Sequence, residues 1–151
     1  MTALETDLLA ELIRRKLDCL VELRDMGAKQ LEFVRAGRIT ELLDLLSAKH
    51  RLLIRLQRIE EELAPFRGQA PEGRTWRTPD GRRECARQVE QCEALLGEIV
   101  VREKQSECEL TRRRDNLASQ LQGFHLASQA RGAYAALSRA DASRIDLTSE
   151  T

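Results

Sequence analysis

Apolar residues recur at helical spacing in three runs along this chain, separated by a glycine turn and a proline-containing break. The first run is Leu9, Ile13, Leu17, Leu20, Leu23, Leu31 and Val34. The second is Leu42, Leu45, Leu46, Leu52, Leu53, Leu56, Ile59 and Leu63. The third begins with Val89, Cys92, Leu96 and Ile99 and resumes with Leu110, Leu117, Leu121 and Phe124. Steps of three, four and seven place each run on one face of an α-helix, the pattern of a helix packed against a partner. The spacing predicts helices over about 6–36, 41–63 and 79–126, with a loop at 64–78. Thr6 is the expected cap of the first helix and Thr40 of the second, with Glu41 in the first turn. Gly37 suits the left-handed residue that ends the first helix. Thr78 followed by Pro79 marks the third start, where proline's missing N–H costs nothing. A connection as short as the Gly37 turn folds the first two helices into an antiparallel hairpin. The expected fold is all-α: this hairpin plus a long third helix, a coiled-coil-like bundle domain over 1–131, with a flexible tail at 132–151.

Local features qualify that outline. Gly27 interrupts the first stripe at a cost of about 1 kcal/mol relative to alanine; close approach of a neighbouring helix, or a kink, would explain it. Glu60, Glu61 and Glu62 oppose the dipole at the end of the second helix. Either that end frays or the carboxylates meet arginines downstream, among them Arg67, Arg74, Arg77, Arg82 and Arg83. Phe66 and Trp76 lie in the 64–81 stretch with all three prolines; such aromatics pin a loop to the core or form a partner-binding tip. After Gly132 the residues are small and polar, with Tyr134, Leu137, Ile145 and Leu147 as isolated apolar points.

The third helix is longer than the hairpin can cover. The second helix spans about 36 Å at the standard rise, so a helix returning beside it passes the Gly37 turn near Lys104. Glu103, Ser106 and Arg113 stand at seam positions and weaken the stripe between Arg102 and Asn116. Beyond Lys104 the apolar face of Leu110, Leu117, Leu121 and Phe124 must self-associate, fold back at Gly123, or bind a partner.

Composition narrows the chemistry. The chain has 151 residues, 42% apolar and 33% charged, with 25 basic and 25 acidic side chains. One domain of long, surface-charged helices fits these values. With no net charge there is no global field toward nucleic acid or anionic lipid, and the arginine clusters at 74–87 and 112–114 are interleaved with acids, so no nucleic-acid partner is expected. The N-terminus carries no signal-peptide pattern and no run is apolar enough to span a membrane, so the expectation is a cytoplasmic protein without membrane insertion. Cys85 and Cys92 are two helical turns apart, about 10 Å and too far for a disulfide. The spacings of Cys19, Cys85, Cys92 and Cys108 match no zinc pattern, and reduced thiols are expected. His50 and His125 sit on expected solvent faces, and no phosphate loop or H-E-x-x-H motif is present. The reading is therefore a non-enzyme with no catalytic residues, no metal and no cofactor.

The stretch LEFVRAGRITELLDLLSAKHRLLIRL, from Leu31 to Leu56, resembles the core of the FlgN-type flagellar export chaperones. The resemblance rests on Gly37, Leu42–Leu46, Lys49 and Leu52–Leu56, and extends over about Leu8–Leu63. It implies a small cytoplasmic helical chaperone that holds the termini of flagellar hook–filament junction subunits and delivers them to the type III export apparatus. By resemblance, the amphipathic cargo-binding region falls on Leu110, Leu117, Leu121 and Phe124, and a tyrosine that docks at the export gate falls on Tyr134. The competing class is a structural coiled coil, including an export-ATPase stalk type, in which helix three forms a homodimer seam.

Overall fold

The computed structural model describes residues 2–149, with side chains described for residues 2–139. Its elements are α1 (Ala3–Ala36), α2 (Ile39–Arg67), a 3₁₀ turn (Pro71–Gly73) and α3 (Pro79–Ser149), and among the described residues there is no strand. The fold is an all-α helical bundle with a long third helix. The chain divides into two units, Met1–Glu109 and Leu110–Thr151.

The first unit is the bundle. Its α1 starts earlier than expected because Thr2, not Thr6, caps it. Glu5 N–H donates to Thr2 Oγ1 (3.3 Å) and Thr2 N–H donates to Glu5 Oε2 (2.8 Å), a reciprocal capping box. Thr6 is instead buried, its Oγ1 lying 2.6 Å from the Thr75 carbonyl oxygen and 2.9 Å from that of Ala3. A residue with the composition of a cap thus ties the later loop to α1.

The turn after α1 is a Schellman motif. Arg38 N–H donates to Phe33 O (3.0 Å) and Gly37 N–H to Val34 O (3.2 Å), with Gly37 at φ 68°. The chain re-enters helix at once, so Arg38 occupies the N-cap position with no side-chain cap bond and Thr40 lies inside α2. Thr40 is therefore not the cap; the turn leaves no room for one so late. α2 also outlasts its expected end at Leu63 and carries Pro65 in its last turn. Phe66 is buried and its carbonyl accepts from Arg74 Nη2 (3.0 Å), which anchors that extra turn. At the start of α3, Gly81 N–H donates to Thr78 Oγ1 (3.0 Å) ahead of Pro79, as the sequence predicts.

The core joins all three helices. Leu9, Leu12, Ile13, Leu20 and Leu23 of α1 pack with Leu52, Ile59, Leu63 and Phe66 of α2 and with Cys85, Cys92 and Leu95 of α3. At about 1.5–3 kcal/mol per fully buried large side chain, this cluster outweighs the surface ion pairs, each worth about 0–1 kcal/mol. Trp76 packs against the cluster, so the loop aromatics pin the connection to the core. Arg77 Nε, 2.7 Å from Asp7 Oδ2, fixes the same loop to the start of α1. One of the acids at the end of α2 finds bases: Glu60 pairs with Lys16 Nζ at 2.7 Å and with Arg67.

The second unit holds the remainder of α3. Helix continues past the expected end at 126, through the residues read as a tail, to Ser149. The apolar stripe ends near Phe124, but the following residues are rich in alanine, and local propensity carries the helix where no stripe is needed. The side chains of Ile145 and Leu147 lie outside the described residues.

Candidate partner-binding surface

The chemistry of α3 changes where the hairpin ends. Lys49 of α2 is buried, and its Nζ donates to Gln30 Oε1 of α1 (2.9 Å) and to Glu103 Oε2 of α3. Gln30 Nε2 lies 3.5 Å from Glu103 Oε1, so one amide, one ammonium and one carboxylate close a three-helix polar cluster. One turn along α1 from Leu23, Gly27 faces α3: a Cβ there would sit at ordinary contact distance, 3.4 Å, from Arg102 Cγ. A methyl group would fit at that distance, so the approach of α3 does not by itself require glycine there. Ser106, one turn beyond Glu103, is fully buried with no partner for its Oγ. Both polar seam residues belong to the bundle unit: Glu103, half exposed, reaches two partners on the hairpin, while the buried Ser106 hydroxyl is left without one among the described residues. The bundle unit closes at Glu109, about a turn past the point expected from helix lengths.

In the second unit the apolar side chains face out. Leu110 is 40% exposed, Leu117 59%, Leu121 68% and Phe124 71%. At about 100° per residue, these four lie within about 60° of one another on the helix, so the structure brings the expected stripe together as one strip. A strip this narrow is the width of a coiled-coil seam rather than of a helix sunk in a globular core. Tyr134 is 72% exposed but lies about 80° around the helix from Phe124, so it does not belong to the strip. Leu126 and Leu137, also exposed, lie on the opposite side.

The titratable groups offer little reaction chemistry. Burial pushes the thiols of Cys19, Cys85 and Cys92 above the ordinary cysteine range, and protonated thiols are poor nucleophiles. Cys108 is exposed, and all four cysteines are free. The Arg14 guanidinium, by hydrogen bonding, holds the Glu11 carboxyl below the usual range; Arg87 does the same for Glu84. These are surface pairs within one helix. Among the described residues no group of three or more metal-ligating side chains comes together, and no helix is long and apolar enough to cross a membrane. His50 and His125 are exposed.

No protein-family model, curated protein or solved structure matches the chain.

The buried Gln30–Lys49–Glu103 cluster is what sequence reasoning missed. The signal was present: Lys49 falls seven residues after Leu42 and three before Leu52, on the buried face, and Glu103 falls at a seam position. A cation and an anion each occupying an apolar position in successive helices point to one another.

Proposed function

We propose that this protein is a helix-binding export chaperone of the FlgN type, holding the amphipathic terminal helix of flagellar hook-associated subunits in the cytoplasm and handing it to the type III export apparatus. One observation carries the binding part of this reading. Four large apolar side chains, Leu110, Leu117, Leu121 and Phe124, share one face of α3 and are exposed. An exposed apolar strip of this kind is the recognition face for an amphipathic helix. The flagellar part rests on the resemblance of Leu31–Leu56. Tyr134, off the strip and exposed, is free to serve a separate contact at the export gate.

The test is the solution mass by light scattering over a tenfold concentration range, alone and with candidate junction-subunit tails. A stoichiometric complex is expected with one such tail. Leu117→Asp with Leu121→Asp should weaken it by about two to four orders of magnitude, since each leucine contributes about 1.5–3 kcal/mol when buried, while helicity by circular dichroism is retained. A double variant that unfolds would instead place the strip in the core. A second reading is favoured by the seven-residue steps from Leu110 to Leu117 to Phe124: a homodimer seam. A concentration-independent dimer that ignores every tail would establish that reading.

A further inference from the structure

Resting on the binding reading above, we infer that the partner helix is acidic along the borders of its apolar face, because the strip on α3 is framed by arginine. Four arginines, Arg113, Arg114, Arg131 and Arg139, lie on or beside the line of the strip, and Asp115 is the one acid between 110 and 139. Their placement is more telling than their number. At about 100° per residue, Arg113 borders the strip on one side, and Arg131 falls on the same line five turns on. Arg139 falls five turns beyond Leu121, continuing the strip past Phe124, and Arg114 borders its other side. Asp115 lies about 150° from the strip's centre, on the back of the helix.

The arginines beside the strip are only weakly engaged by the described residues. Arg114 reaches Asp115 at 3.3 Å, both side chains being largely exposed. Arg139 Nε donates to the Ala135 carbonyl (3.3 Å), and the Nε of Arg113 is out of solvent with no hydrogen-bond partner among the described residues. Arg131 makes no ion pair with any described residue. Cations at the borders of a helical seam select carboxylates at the matching positions of the other helix, as flanking charges do in coiled coils. A guanidinium, with donors in a planar fork, suits a carboxylate in particular. A parallel second copy would set Arg113, Arg114 and Arg131 against themselves. A bilayer would favour a wide apolar face with small or apolar residues at the borders, where this helix has arginine.

The test uses the full-length chain and two synthetic peptides with one leucine heptad stripe, one carrying glutamate and the other lysine at the positions flanking it. Surface plasmon resonance at low and physiological salt should show the glutamate peptide binding, with an association rate that falls on the order of tenfold at higher salt, and the lysine peptide binding far more weakly. Arg113→Glu with Arg131→Glu should invert this preference while helicity is unchanged. Equal binding of both peptides would overturn the acidic partner and leave the apolar strip standing. Retention of the glutamate peptide by Leu117→Asp with Leu121→Asp would instead sink the strip as the binding face. Failure of both peptides, with capture of anionic vesicles or a stable dimer by light scattering, would overturn both.

Discussion

Lys49 occupies a position that leucine would fill if burial were the only requirement, and its ammonium is matched by Gln30 and Glu103 rather than by solvent. Removing it alone strands a buried amide oxygen. Lys49→Met should therefore cost about 1–3 kcal/mol in urea denaturation, the usual penalty for an orphaned buried partner. Half of the Glu103 side chain is exposed, 51%, which keeps the loss below that of a fully buried pair. Combining Lys49→Met with Gln30→Leu and Glu103→Leu should recover most of the loss, since no stranded polar group remains; a triple variant less stable than the single one would contradict this account. The cluster was only half legible. Periodicity placed Glu103 on the seam, but Lys49 was read only as part of the leucine-rich stretch, and which helix neighbours meet them depends on the register of α3 against the hairpin, which spacing within one helix does not set. The thiols make a second prediction at this scale. Burial raises the pKa of Cys19, Cys85 and Cys92 in the folded chain above its unfolded value. Their stabilising effect is full below the ordinary thiol pKa and declines as pH rises through the raised values. The denaturation midpoint should drop as pH climbs from the ordinary thiol pKa toward the raised values, and a disulfide reagent at neutral pH should modify the exposed Cys108 well before the other three.

The ends of the helices show where sequence signals compete. Thr6 and Thr40 both have the composition of a cap, and neither is one. In each case a nearer device wins: the Thr2–Glu5 capping box at α1, and the Gly37–Arg38 Schellman turn that restarts helix at Ile39. Helix existence was legible because stripes of leucine persist over many turns, whereas the ends depend on single hydrogen bonds that composition leaves degenerate. The same reasoning separates two glycines. Gly37 sits at φ 68°, the one positive-φ residue among those described, and alanine there should cost about 1 kcal/mol. Gly27 has helical backbone and a Cβ would meet Arg102 Cγ at ordinary contact distance, 3.4 Å. Gly27→Ala should therefore stabilise by up to about 1 kcal/mol through helix propensity. Thermal melts of the two variants moving in opposite directions would bear this out; a destabilised Gly27→Ala would mean that Arg102 cannot yield.

At the scale of the whole molecule, the residues that build the core and those of the proposed binding strip are different. Every buried apolar side chain among the described residues, from Leu9 to Leu95, and the fully buried Ser106 lie before residue 110. The strip on which a partner is proposed to bind lies wholly after it. That division was legible from helix lengths alone, because α2 is too short to cover so long a third helix. What length did not give was the continuation of helix to Ser149, which rests on alanine-rich local propensity rather than on packing. A chain shortened after Glu109 should then keep its cooperative melt within a few degrees of the full-length midpoint, since a loss of 1 kcal/mol in a domain of this size would shift it by about 4–8 °C. It should lose the helical circular dichroism of the missing segment and all binding to the glutamate-flanked peptide. The separate 110–151 peptide should be only partly helical, because a helix without tertiary support is marginal in water, and it should gain helicity on mixing with that peptide. A shortened chain that melts far lower or aggregates would show instead that the bundle needs the second unit. The leucines read as a docking face would then be holding the fold.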